Sequence, residues 1–124
     1  MSKRDIYLYV DDIFDSINAI FDYVKEYSFE NFCNDRKTYS AVIRELEIIG
    51  EAVNKLPNDL KDKYQNIVWR DIKDFRNLLI HEYFGVDLEI VWNTVKEDLP
   101  DLLNVIEEIR SQSHDQSQEY GPCP

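Results

Sequence analysis

The chain has 124 residues, 44% of them hydrophobic and 31% charged, which is the size of one domain with one core. Three glycines and four prolines exclude collagen-like and turn-rich all-β folds, and no apolar run approaches the ~18 residues of a membrane span. The net charge of −11 argues against broad, sequence-independent phosphate binding, yet it is unevenly spread. From Lys55 to Arg76 six basic residues face four acidic ones, whereas from Asp87 onward Lys96 and Arg110 stand against nine acids. The amino terminus, Met1-Ser2-Lys3-Arg4-Asp5, leads straight into an amphipathic stretch and does not read as a signal peptide. Cys33 and Cys123 lie 90 positions apart and form neither a disulfide framework nor a zinc pattern, consistent with free thiols in a reducing cytoplasm.

Residues 4–27 predict a long helix. Ile6, Val10, Ile13, Phe14, Ile17, Ile20, Phe21 and Val24 recur at spacings of three and four, which places them on one face. Residues 28–35 lack a period and read as a loop. Residues 38–55 predict a second helix with a stripe of Val42, Leu46, Ile49 and Val53, and with Gly50 inside it where another backbone comes close. Pro57 ends that helix, and Asn58-Asp59 is expected to cap a short turn reaching about Tyr64. A third main helix is predicted over 68–83, with Ile72, Phe75 and Leu79 inward and Gly85 as its stop. Asp87 is a suitable N-cap for 88–98, and Pro100 sits in the first turn of a last helix over 100–110. Residues 111–124, rich in Ser, Gln and Asp, read as a disordered polar tail, which leaves 1–110 as one helical domain. The expected fold is all-α, an up-and-down bundle of four to five helices. Eight Tyr, six Phe and two Trp are more aromatic surface than a small bundle needs, so part of it is assigned to a homodimer interface.

Most chemical motifs are missing from the sequence, including Gly-rich phosphate loops and H-E-x-x-H or C-x-x-C metal patterns. The acids Asp11, Asp12, Asp15, Glu47 and Glu51 read as a solvated face, so neither a metal site nor a cofactor is expected. The distinctive segment is Arg76-Asn77-Leu78-Leu79-Ile80-His81-Glu82-Tyr83. On a helix Arg76 and Tyr83 share a face and Asn77 and His81 share its neighbour. Arg76 and His81 are separated by about 140°, so they converge only through the reach of arginine, fraying at the helix end, or pairing across a dimer axis.

This segment resembles the R-x4-H-x-Y motif of HepT-like toxins, a branch of the HEPN ribonuclease superfamily, at every fixed position. The similarity continues in Ile49-Gly50-Glu51-Ala52, in Trp69-Arg70-Asp71-Ile72 leading to Phe75-Arg76-Asn77, in Tyr83-Phe84-Gly85-Val86-Asp87, and in Val91-Trp92 and Leu99-Pro100. It covers all but the tail. The resemblance implies a dimeric helical bundle that brings two motifs to one cleft and cuts RNA without a metal. It implies a genetic partner as well, an MntA-type nucleotidyltransferase antitoxin that silences the toxin by transferring AMP to the motif tyrosine, here Tyr83. Arg76 and His81 are then the catalytic pair, with Asn77 and Tyr83 in support. Arg70 and Lys73, one or two turns upstream, are candidates for extending a phosphate track. The competing reading is a non-catalytic helical module that docks a nucleotidyltransferase.

Overall fold

The computed structural model describes residues 3–67, 69–72 and 87–119, with side chains to residue 112. Among the described residues every regular element is helical. Helix α1 spans Lys3–Tyr23, α2 Phe29–Cys33, α3 Arg36–Lys55, α4 Asn58–Asp62 and α5 Leu88–Asn93. A π-helical turn, Thr94–Asp98, joins α5 to α6, which spans Leu99–Glu119.

The core follows the predicted stripes. Val10, Ile13, Ile17 and Ile20 of α1 are fully buried, and Val24 just beyond it nearly so. Ile6, Phe14 and Phe21 pack around this line, partly exposed. Helix α3 contributes Val42, Leu46, Ile49 and Val53, and Gly50 is buried on the same face. Helix α6 contributes Leu99, Leu102, Val105, Ile106 and Ile109. Burying side chains of this size is worth about 1.5–3 kcal/mol each, which makes this three-helix seam the main source of stability.

Polar contacts fix the helix directions. Glu45 on α3 accepts hydrogen bonds from Ser16 Oγ and Tyr23 Oη of α1, each at 3.0 Å, so the end of α1 lies beside the first half of α3. Arg110 near the C-terminal part of α6 meets Asp11 at 3.0 Å, and its guanidinium lies 3.7 Å from the centre of the Phe14 ring. At the other end, Phe21 and Val24 share a groove with Val95 and Pro100. Tyr27 Oη, just beyond α1, donates to Asp35 at the start of α3, while Ser16 further back reaches Glu45, so α1 runs antiparallel to α3 as well as to α6, as an up-and-down bundle requires.

Several boundaries differ from the sequence expectation, each for a local reason. Helix α1 stops at Tyr23, before residue 27. Glu26 adopts φ 66°, the left-handed conformation that closes a helix C-terminus, and Tyr27 N–H then donates to Val24 O at 2.9 Å. The expected loop over 28–35 contains α2. Ser28 Oγ caps it by accepting from Asn31 N–H at 3.1 Å, and Phe32 gains full burial. Asp35 then caps α3 by accepting from Thr38 N–H, which starts that helix two residues early. Pro57, not Asn58 or Asp59, occupies the cap position of α4 and supplies no side-chain bond.

Asp87 behaves as predicted and accepts from Glu89 N–H at 2.9 Å. The helix it begins does not end before Pro100. Proline has no N–H to give to the carbonyl four residues back, and the chain widens into the π-helical turn as it approaches this residue. Helix α6 passes Arg110, where the sequence expectation ends it, and reaches Glu119. No Pro or Gly interrupts this stretch, so each residue that prolongs the existing helix adds a hydrogen bond without a new nucleus. No helix among the described residues is long and apolar enough to cross a membrane.

Candidate functional site

Arg76, Asn77, His81, Tyr83 and Lys73 lie outside the described residues. Their setting is visible through the segments on either side. Residues 69–72 are helical, as the sequence predicts for the start of the motif helix. Trp69 fixes that start: its indole N–H lies 3.1 Å from Lys61 O in α4 and 3.2 Å from Tyr64 O just beyond it, adding a side-chain donor to carbonyls that also accept from backbone N–H groups. Lys61 in turn donates from Nζ to Val53 O at the end of α3, at 3.2 Å. Ile72 packs against the core, while Arg70 is exposed and available to an anion. On the other side Asp87 caps α5, and Val91 is fully buried. The described segments before and after the motif are thus each anchored to the bundle.

Between those segments lies a groove of about 350 Å³. Its described lining includes Ile67, Ile72 and Ile90 on the apolar side and Asp71, Asp98 and Asp101 on the polar side. Partial burial raises the pKa of the Asp98 carboxyl above its ordinary value, and the negative charges of Glu97, Asp71 and Asp101 push it the same way. This acidic rim disfavours an anion in the groove. Sequence inspection did not single out this trio. Asp71 lies 27 positions from Asp98, and only the packing of residues 69–72 beside the π-helical turn brings them to one groove.

The acids read as a solvated face are accounted for individually. Asp11 pairs with Arg110 and Glu47 with Arg44, while Asp12, Asp15 and Glu51 are exposed. Among the described residues no group of three or more His, Cys, Asp or Glu is arranged to hold a metal ion. Trp92 is a packing residue: its ring centre lies 5.1 Å from buried Phe32 and 6.0 Å from Phe29. Cys33 is a free, half-buried thiol.

Comparison with known proteins extends the resemblance over nearly the whole chain. Residues 13–109 match the family described as Ribonuclease HepT-like. A "probable ribonuclease HepT" of Thermococcus cleftensis is 47% identical over 108 residues, covering 87% of this chain and 98% of that protein. A "putative RNase" of Methanocaldococcus jannaschii is 41% identical over 107 residues, covering 86% and 98%. Another "putative RNase", from Caldanaerobacter subterraneus, is 40% identical over 101 residues, covering 82% and 90%. No solved structure matches the chain. An all-α bundle with the R-x4-H-x-Y segment, matched to these relatives over most of its length, belongs to the HepT-like ribonuclease family.

Proposed function

We propose that this protein is the toxin of a type II toxin–antitoxin pair and acts as a metal-independent endoribonuclease. The observation that carries the reading is the complete R-x4-H-x-Y segment, Arg76 to Tyr83, in a chain of the HepT-like ribonuclease family. The cut needs no external nucleophile. The 2′-oxygen of the RNA attacks the adjacent phosphorus as the bond from phosphorus to the 5′-oxygen breaks. A base takes the 2′-hydroxyl proton and an acid gives one to the departing 5′-oxygen, leaving a 2′,3′-cyclic phosphate and a 5′-hydroxyl. Histidine titrates near pH 6.5 and fits either role. Each chain brings one His81, so a homodimeric cleft provides a base and an acid together. Arg76 stays charged and presents two donors to the phosphate oxygens as negative charge builds on them. Asn77 orients the phosphate or the imidazole, and Tyr83 stacks on a base. Arg70 and Lys73 lengthen the phosphate track.

The same reading assigns control to Tyr83. AMP transferred to its hydroxyl by a cognate MntA-type nucleotidyltransferase adds bulk and negative charge where RNA must bind, and so blocks the cleft. The protein would then act in the cytoplasm on accessible, unpaired RNA.

The test is to incubate purified, unmodified protein with total RNA in excess chelator beside His81→Ala and Arg76→Ala variants. Cleavage by the parent alone, with cyclic phosphate ends, supports the mechanism. Intact RNA in all tubes, together with an unmodified intact mass, rejects it in favour of a docking module. Sedimentation of the same sample reports whether the active species is a dimer.

A further inference from the structure

Aromatic rings and lysines meet at the end of the bundle where the chain leaves α1 and where α2 packs on α5. The Phe29 ring is 6.0 Å from Trp92 by ring centres and 39% exposed. Trp92 is backed from inside by Phe32, and Lys96 Nζ lies 4.6 Å from the centre of its ring. Lys96 also lines a groove of about 250 Å³ together with Lys25, Phe21 and Glu26. Lys25 and Lys96 are both exposed, and neither forms an ion pair among the described residues.

We propose that Phe29, Trp92, Lys96 and Lys25 form a platform for unpaired RNA flanking the cut, an inference that rests on the ribonuclease reading above. A base stacks on the exposed face of Phe29, and the adjoining phosphates lie against Lys96 and Lys25. Aromatic faces interleaved with cations are the means by which single strands are held without sequence readout. Three observations favour this occupant. A phenylalanine two-fifths exposed is supported in a fixed position by a rigid tryptophan. Glu26 lines the same groove as the lysines and Glu97 follows Lys96, which weakens binding by phosphate charge alone, so stacking has to contribute, and this selects single strands over duplex. Finally, chain length bounds the distance to the motif: three residues lie between Tyr83 and Asp87, at most about 14 Å of chain from one to the other, and Trp92 follows on the short helix that Asp87 caps. A strand leaving the motif reaches the platform within a few nucleotides.

The test compares a short oligonucleotide, trimmed close to a cleavage site mapped in total RNA, with a longer one that keeps the natural unpaired flanks. The parent protein should favour the long substrate by about tenfold in KM with kcat little changed, the scale of one stacked base. Phe29→Ala and, independently, Lys25→Glu with Lys96→Glu should reduce that preference to about twofold or less, with melting temperatures recorded for each variant. A parent without length preference, or variants that keep it in full, overturns the platform while leaving the ribonuclease reading in place. If the parent cuts neither substrate, anisotropy with the long oligonucleotide in 2′-O-methyl form decides. Binding about tenfold weaker in the variants upholds the platform without the nuclease, and equal binding overturns it.

Discussion

Replacing Phe32 by alanine separates the fold described above from the loop that the sequence suggests over 28–35. Phe32 is 0% exposed, and its ring centre lies 5.1 Å from Trp92 and 6.3 Å from Tyr39. It therefore ties α2 to both α3 and α5. Truncating a buried phenylalanine costs about 3–5 kcal/mol, the sum of lost transfer energy and the cavity left behind. The two ring pairs place this residue in the upper part of that range, since each adds about 0.5–1.5 kcal/mol beyond burial. A loss of about 4 kcal/mol lowers the melting temperature of a chain this size by roughly 15 °C. It also shifts the urea midpoint by about 2 M at an m-value near 2 kcal/mol/M. Urea unfolding followed by far-UV circular dichroism measures both the midpoint and the slope. Phe32→Leu, which keeps most of the volume, should lose about 1.5 kcal/mol or less. A solvent-facing loop residue would lose under about 0.5 kcal/mol. If Phe32→Ala costs less than about 1 kcal/mol, the packing of α2 on the bundle described here is wrong.

Three further outcomes follow from local chemistry. Glu26 holds φ 66° without being glycine, so Glu26→Gly should stabilise the protein by about 0.5–1 kcal/mol after the entropic cost of glycine is subtracted, read as a small rise in melting temperature. Hydrogen bonds from Tyr27 and then Thr38 hold the Asp35 carboxyl below its ordinary pKa, so its stabilisation is present above the unfolded value of 3.8 and disappears as pH falls through the lower folded value. Tyr27→Phe should consequently move acid unfolding to higher pH, and an NMR titration in which Asp35 does not shift upward would contradict this cause. Asp98 has the opposite sign: burial and its acidic neighbours raise its pKa, so its ionised form opposes folding at neutral pH. Asp98→Asn should raise the melting temperature at pH 7, and the gain should shrink as the pH is lowered through the raised pKa; a gain independent of pH would rule out electrostatics as its source.

The long amphipathic elements were legible in the sequence because a helix turns apolar residues to one side every three or four positions, whatever surrounds it. Val10, Ile13, Ile17 and Ile20, and likewise Val42, Leu46, Ile49 and Val53, announce their burial in this way. The Asp87 cap was legible for the same reason, since its partner is only two residues away. The short helix α2 was not. Five residues carry too little period to register, and Phe29–Cys33 is helical because Phe32 finds a pocket against Tyr39 of the next helix and Trp92, which is distant in the chain. The end of α1 was also beyond a periodicity argument, because Val24 continues the apolar stripe although the backbone has already begun to turn toward Glu26.

The chemistry divides along the same line. Arg76, His81 and Tyr83 belong to one local segment, so their spacing identifies them in the linear sequence and family membership gives that spacing its meaning. The surroundings of the motif are long-range. Trp69 reaching the α4 carbonyls, the acidic rim of Asp71, Asp98 and Asp101, and Phe29 beside Trp92 each join residues that only packing brings together. The sequence by itself determined the stripes of the long amphipathic helices and the segment that carries the R-x4-H-x-Y motif, because both are written in intervals of a few residues. The tertiary structure alone decided which charges gather, which rings meet and which side chains stay exposed, because these depend on helix directions and on the burial of side chains far apart in the chain.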